Sequence, residues 1–357
     1  MRPLLLSSHS RPITQVKYNR EGDILITTAK DHYPGVWYSD DGRRIGTLEH
    51  NGTVWSCDIN QDSTRIVTAS ADCKVKIWDL DKEPGKEIFT FECFNTPCRY
   101  IEYACGDKQA LLTTDPFMQQ SSAIHILNFT DDVADQHTQA EPAVSVEGKL
   151  EGRISRATWG DCNETFVTCG EDGYLRTWDT EKMEIIKEVK AHGKHIGDLR
   201  WSHDKTHFIT ASIDKTAKLW DARTLTHLKT YENSAPVNSA AISPLMEHIM
   251  LGGGQDASQV TTTSHKSGKF ESKFYHKIFE EEFGRVAGHF GPINTMCFHP
   301  NGRSFTTGGE DGYVRIHHFD PDYFNTDSWF GTTKLRKMYE DKYGERADWH
   351  KGEKAAA

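Results

Sequence analysis

The sequence predicts an all-β fold, a seven-bladed β-propeller ending in a short C-terminal helical tail, and three observations carry that prediction. The first is an internal repeat: "TASADCKVKIWDL" from Thr68 and "TASIDKTAKLWDA" from Thr210 match almost position for position. The second is its spacing. The six-residue step from Asp72 to Trp78 recurs from Asp31 to Trp37, Asp172 to Trp178, Asp214 to Trp220 and Asp311 to His317, and leads from Asp256 to Thr262. The third is a landmark eighteen residues before five of these aspartates, where Ile13, Val54, Ile154, Ile196 and Ile293 open alternating apolar segments such as "IGDLRW".

Each unit of about 41 residues divides into four short strands of period two separated by turns, which is the content of one propeller blade. A weaker unit, Phe94 to Phe129, ends in "AIHILNF" instead of Trp-Asp and carries extra residues after Asp115; it brings the count to seven. Insertions interrupt the pattern. One is the acidic stretch after Thr130, placed between units three and four. The other runs from Lys266 to Val286, and its "KFESKFYHKIF" reads as a long outer strand of blade six followed by a loop with Glu280, Glu281 and Glu282.

The opening "RPLLLSS" has no blade of its own, and is assigned to the outermost strand of the last blade, where it closes the ring and covers a sheet edge. After Phe319 the chain leaves the propeller. Leu335, Met338, Tyr339 and Tyr343 fall near one face of a short helix in the tail. The division is therefore a propeller over 1–320 and a partly helical tail over 321–357.

Composition narrows the function. Lys and Arg number 42 against 52 Asp and Glu, a net charge of −10 that opposes broad coating of nucleic acid or anionic membrane. No apolar run has the length of a membrane span, and the leucine cluster near the start is too short for a secretory signal, so the chain reads as cytoplasmic, without membrane or small-molecule substrate. The 8 cysteines are scattered, with no paired spacing for zinc, and no cofactor is implied.

Two constellations mimic chemistry. The glycines of "LGGGQDASQVTTTS" suggest a phosphate cradle, but Asp256 stands where a lysine is needed and Gly252, Gly253 and Gly254 are contiguous. In the repeat register they are a strand end and tight turn. His50, Ser70 and Asp72, and again His192, Ser212 and Asp214, have the residue types of a hydrolytic triad. Their recurrence at one register reads instead as a structural network, in which the Trp78 or Trp220 indole, able only to donate, bonds the serine, the serine the histidine, and the histidine the aspartate. Blade four keeps Asp172 and Trp178 without an aligned histidine, and blade seven keeps His289 and Asp311 with His317 in the tryptophan position. Glu280 to Glu282 read as solvated acids or a contact for a basic partner.

Longer stretches carry a resemblance. "ITQVKYNREGDIL", "PVNSAAISP", "LGGGQDASQVTTTS", "KFYHKIFEEEFGRVAGHFGPINT" and "GGEDGYVRIHHFDPDYF" resemble subunit i of eukaryotic translation initiation factor three, a WD-repeat β-propeller family, from Met1 to about Phe324. The resemblance implies a non-catalytic scaffold in the assembly that prepares the small ribosomal subunit for messenger RNA recruitment and scanning. The partners it implies are the C-terminal helix of subunit b, near blades five and six, and the N-terminal part of subunit g. Carried over by register, the acids that would meet the helix are Asp204 in "WSHD" and Asp221 in "LWDA". The alternative is a signalling adaptor of the same fold that binds a receptor or kinase, because fold does not fix the partner.

Overall fold

Seven four-stranded antiparallel sheets follow one another along the chain. The computed structural model describes residues 3–254 and 270–324. In blade two the order is Val54–Ile59, Arg65–Ser70, Val75–Asp79 and Glu87–Phe91, each pairing with the next. Blade five repeats it with Ile196–Trp201, His207–Ser212, Thr216–Asp221 and His227–Glu232. Continuous burial marks the inner strands: on Arg65–Ser70 the β-branched and small residues Ile66, Val67, Thr68, Ala69 and Ser70 are all buried, so both faces of this strand pack against neighbouring blades.

The last blade is completed from the other end of the chain. Leu4–Leu6 pairs antiparallel with Val314–His318, with Leu5 opposite Arg315, so the N-terminal strand covers the edge that the final repeat would expose. The expected closure is what the register shows.

The expectations for two insertions need correction. The acidic segment after Thr130 lies inside blade three, between its third strand Ala123–Asn128 and its fourth, Val144–Glu147. It folds back on blade two, where Arg65 donates to the carbonyls of Thr130 and Asp131 at 2.7 and 2.6 Å. In blade six, "KFESKFYHKIF" is not the outer strand: Glu271–His276 is the third strand, and the outer strand Glu282–Ala287 begins at Glu282. The six-residue step misleads there because residues are inserted before the third strand. Tyr275 stands opposite Ile249, the ladder position that Trp78 holds opposite Ile66, and its hydroxyl donates to the Glu232 carbonyl at 2.8 Å.

Gly252 and Gly253 close the second strand of blade six. A Cβ on Gly252 would lie 2.4 Å from the Met296 sulfur, and one on Gly253 would lie 2.1 Å from the Pro236 carbonyl oxygen. These two glycines allow blades six and seven, and adjoining strands of blade six, to approach closely. Gln255 and Asp256, like the tail positions Leu335 to Tyr343, lie outside the described residues. From Pro321 to Phe324 the chain forms one short helix.

Candidate interaction site on the rim

The two edges of the ring serve different purposes. At one edge the histidine networks pin the blades. Trp78 donates its indole N–H to Thr68 Oγ1 at 2.8 Å, Thr68 meets His50 Nε2 at 2.7 Å, and His50 Nδ1 meets Asp72 at 3.0 Å. An ionised aspartate only accepts, so Nδ1 carries the proton, Nε2 accepts from the threonine hydroxyl, and that hydroxyl accepts from the indole. Blade five repeats the chain through Trp220, Thr210, His192 and Asp214.

The threonine corrects the sequence-based relay. Ser70 is not in it: its hydroxyl donates to the Gly52 carbonyl and accepts the Asp72 N–H, while Ser212 donates to the His195 carbonyl and accepts the Asp214 N–H. Register gives the reason. Trp78 lies opposite Ile66, so Thr68 is its diagonal neighbour, whereas Ser70 is two further residues along the strand, about 7 Å beyond.

Two more networks complete the set. His9 joins Asp31, Thr27 and Trp37 in blade one with the same pattern. The 22-residue step from histidine to aspartate, shared with His50 and Asp72, is the sequence signal that finds it. In blade seven His289 holds Asp311 and Thr307, and His317 in the tryptophan position stacks on Phe305 at 4.7 Å. In blade four Leu150 fills the histidine position as a core side chain, Trp178 still donates to Thr168, and Asp172 pairs with Arg176 at 2.6 Å.

These sets are built for cohesion. Thr68 and Thr210 are fully buried and already bonded on both sides, so neither is placed to attack a substrate. Burial alone would raise the Asp72 carboxyl, but the hydrogen bond from His50, joined by that of the Asn51 N–H, outweighs it and brings Asp72 down to about 2. Near the channel, pairs that sequence reasoning missed tie successive blades: Lys17 to Asp58 at 2.7 Å, and Arg156 to Asp198 at 2.9 Å. Arg200 and Ser239 also converge on Asp198 at 3.2 and 2.6 Å.

The opposite edge carries Asp204 and Asp221. Asp204 sits in the turn before His207, and Asp221 is the ladder partner of His207. His207 Nδ1 lies 3.8 Å from Asp204, so the fold brings both acids around one imidazole on the blade-five rim. Neither carboxylate is free of partners. Asp204 accepts from Ser202 and from the backbone and hydroxyl of Thr206, and hydrogen bonds led by Ser202 lower it to about 2. Asp221 accepts from the Thr224 N–H and hydroxyl at 2.7 and 2.6 Å, which also lowers its carboxyl. Both stay ionised at the surface.

Turn-holding is general at this register, since Asp79 and Asp179 each accept two backbone N–H groups in the same way. What distinguishes blade five is its neighbour. On the same edge of blade six, Leu245 and Ile278 stand in turns and are 56% and 50% exposed, with an acid, Glu247, between them in sequence. The Tyr231 hydroxyl of blade five donates to the Lys277 carbonyl of blade six at 2.6 Å, and Lys229 pairs with Glu280 at 2.9 Å, so the two rims are continuous. The apolar pair was missed in the sequence because isolated apolar residues in turns have no period to mark them.

Comparison with known proteins decides the family. A family model, EIF3I, matches residues 1–328. The chain belongs to the eukaryotic translation initiation factor 3 subunit I family. It is 45% identical over 326 residues to "Eukaryotic translation initiation factor 3 subunit I" of Xenopus tropicalis, covering 91% of this chain and 98% of that one. Similar relatives of the same name occur in Bombyx mori, 45% over 326 residues, and Homo sapiens, 45% over 325, each covering 91% of this chain and 98% of the relative. The family match thus spans the seven blades and both ends of the ring closure, and gives the chain a role as a translation initiation factor subunit. Among the described residues no helix is long and apolar enough to cross a membrane.

Proposed function

We propose that this chain is a non-catalytic, cytoplasmic scaffold subunit of the initiation factor three complex, which holds subunits b and g and so supports assembly of the small ribosomal subunit preinitiation complex and scanning. The supporting observation is the rim of blades five and six, where ionised Asp204 and Asp221 of blade five lie on the same edge as the exposed side chains of Leu245 and Ile278 of blade six. Such a surface suits one amphipathic helix. Its apolar face covers Leu245 and Ile278, and its Arg or Lys side chains meet the two acids, so that burial supplies affinity and charge supplies orientation. The C-terminal helix of subunit b is the proposed occupant. The propeller with its N-terminal strand, 1–320, is the proposed docking domain, and 321–357 a separate tail.

Identification of the chains that co-purify with the tagged protein from cytosol tests the proposal. Recovery of initiation factor three subunits, lost together in an Asp204→Lys, Asp221→Lys double variant that stays folded, is the expected outcome. Recovery of receptor or kinase complexes in their place contradicts it.

A further inference from the structure

On the edge of the ring that carries the histidine networks, opposite Asp204 and Asp221, all seven blades line a cavity of about 350 Å³ at the mouth of the central channel. Three of its side chains are cationic: Lys30, Arg99 and Arg156. Arg99, near the start of the blade-three strand Cys98–Tyr103, lies over the Trp55 ring of blade two, 4.0 Å from its centroid. Stacking fixes the plane of the guanidinium and leaves its N–H edge open. Among the described residues no hydrogen bond takes any N–H of Arg99; its nearest acid, Asp115, stands 3.7 Å away and is held closer by Arg153, at 3.1 Å. The Arg99 side chain keeps 19% of its surface accessible and that of Lys30 40%, so neither cation is sealed off.

The surrounding acids do not use up these donors. Asp198 is shared by Arg156 and Arg200, at 2.9 and 3.2 Å, and Glu310 accepts from Asn294 at 2.8 Å, with Lys30 no nearer than 3.9 Å. Glu171 accepts the Arg153 N–H at 3.2 Å. Arg99, Arg153, Arg156, Arg200 and Lys30 thus stand against Asp115, Asp198, Glu171 and Glu310, one positive charge in excess. Deeper in the channel Lys17 pairs with Asp58, and Glu102 lies three residues beyond Arg99, about 10 Å along the strand. With Glu102 included the channel as a whole is balanced, so the attraction at its mouth is local and directed. An open guanidinium edge suits one carboxylate, held by two parallel hydrogen bonds. A run of phosphates is opposed, because the acids around the mouth repel every charge after the first. Ile213, 41% exposed, and Pro236 give the cavity an apolar side.

We propose that the channel mouth receives one carboxylate side chain, glutamate or aspartate, from a protein partner, at a site separate from the rim of blades five and six. The carboxylate accepts two N–H groups of Arg99, Lys30 adds its charge, and the methylene stem lies against Ile213 and Pro236.

The test uses the full-length protein and blocked Gly-Gly-X-Gly-Gly peptides in which X is glutamate, aspartate or glutamine, with inorganic phosphate titrated separately, followed by backbone amide, Trp55 indole and Arg99 side-chain chemical shifts. The glutamate peptide is expected to saturate shifts at Trp55, Arg99, Arg156 and Ile213 with a Kd of about 1 mM, and the glutamine peptide to bind at least about tenfold more weakly. Arg99→Gln loses about tenfold, and Arg99→Lys, which keeps the charge without the fork, falls between it and wild type. Lys30→Gln, at a more exposed side chain, weakens binding about threefold with an unchanged unfolding midpoint, and so reports on the site even where an Arg99 variant loses stability. Asp204→Lys, on the opposite edge, leaves this binding unchanged. Equal binding of the glutamate and glutamine peptides, no saturable shift up to about 20 mM, or shifts that map outside the channel mouth would overturn the proposal. Inorganic phosphate that binds there more tightly than the glutamate peptide would also overturn it, in favour of a phosphate site.

Discussion

The indole N–H of Trp78 and the hydroxyl of Thr68 lie 2.8 Å apart, and the same hydroxyl reaches the imidazole of His50 at 2.7 Å. Thr68 is thus the hinge of a three-part relay, while Ser70 serves the turn that follows. Thr68→Val keeps the volume and removes both bonds, leaving a buried indole N–H and an imidazole nitrogen unpaired, at a cost of about 1–3 kcal/mol. Ser70→Ala, which removes bonds in the following turn and leaves the relay intact, is expected to cost less, and Trp78→Phe about as much as Thr68→Val. Chemical unfolding of the three variants checks the order; a Thr68→Val protein as stable as wild type would show that the relay carries no stability.

Much of this was legible in the sequence because a repeat fixes position by count. The step from Asp72 to Trp78 placed the third strand of five blades correctly, and the orphan leucines near the N-terminus had one open edge to cover. It failed at Asp256, where an insertion before Glu271–His276 broke the count and Tyr275 replaced the tryptophan. Thr68 and Ser70 share a strand face, so alternation alone could not choose between them; the diagonal register of the ladder does. The channel pairs Lys17 to Asp58 and Arg156 to Asp198 join different blades, and no local pattern announces a contact across 41 or 42 residues.

Ring closure rests on three residues. Removing residues 1–7 takes away Leu4–Leu6 and leaves the Val314–His318 strand as an open edge. The truncated protein is expected to lose soluble yield and unfolding cooperativity, whereas removal of 328–357 leaves both near wild type. Gel filtration with thermal unfolding distinguishes the two, and an N-terminal truncation that stays monomeric with a wild-type midpoint contradicts closure by this strand.

Acid acts in two stages. Burial lowers His125 and His195 to about 4, from the ordinary 6.5, so the folded state holds both neutral while the unfolded chain binds protons first. Their stabilising contribution is complete above about pH 6.5 and lost as pH falls toward 4. Asp72, held down at about 2, contributes above about pH 4 and is lost only as pH falls through 2. The unfolding midpoint should therefore decline between pH 7 and 4.5, by about 2–4 °C for each kcal/mol lost. His125→Gln, which keeps a bond to Ser145 without a titrating ring, should flatten part of that decline. A midpoint constant over this range contradicts the buried neutral histidines.

Docking on the rim of blades five and six is the central claim, and calorimetric titration of the subunit b C-terminal segment into the folded protein tests it most directly. Asp204→Lys and Asp221→Lys should each weaken binding, by about 2–5 kcal/mol if the contacts are enclosed by the helix and under about 1 kcal/mol if they stay at its margin. Leu245→Ser should weaken it through lost burial, and Asp161→Lys, on the corresponding turn of blade four, should bind as wild type. Equal affinity for wild type, Asp204→Lys and Asp221→Lys would contradict the account and remove this rim as the docking site.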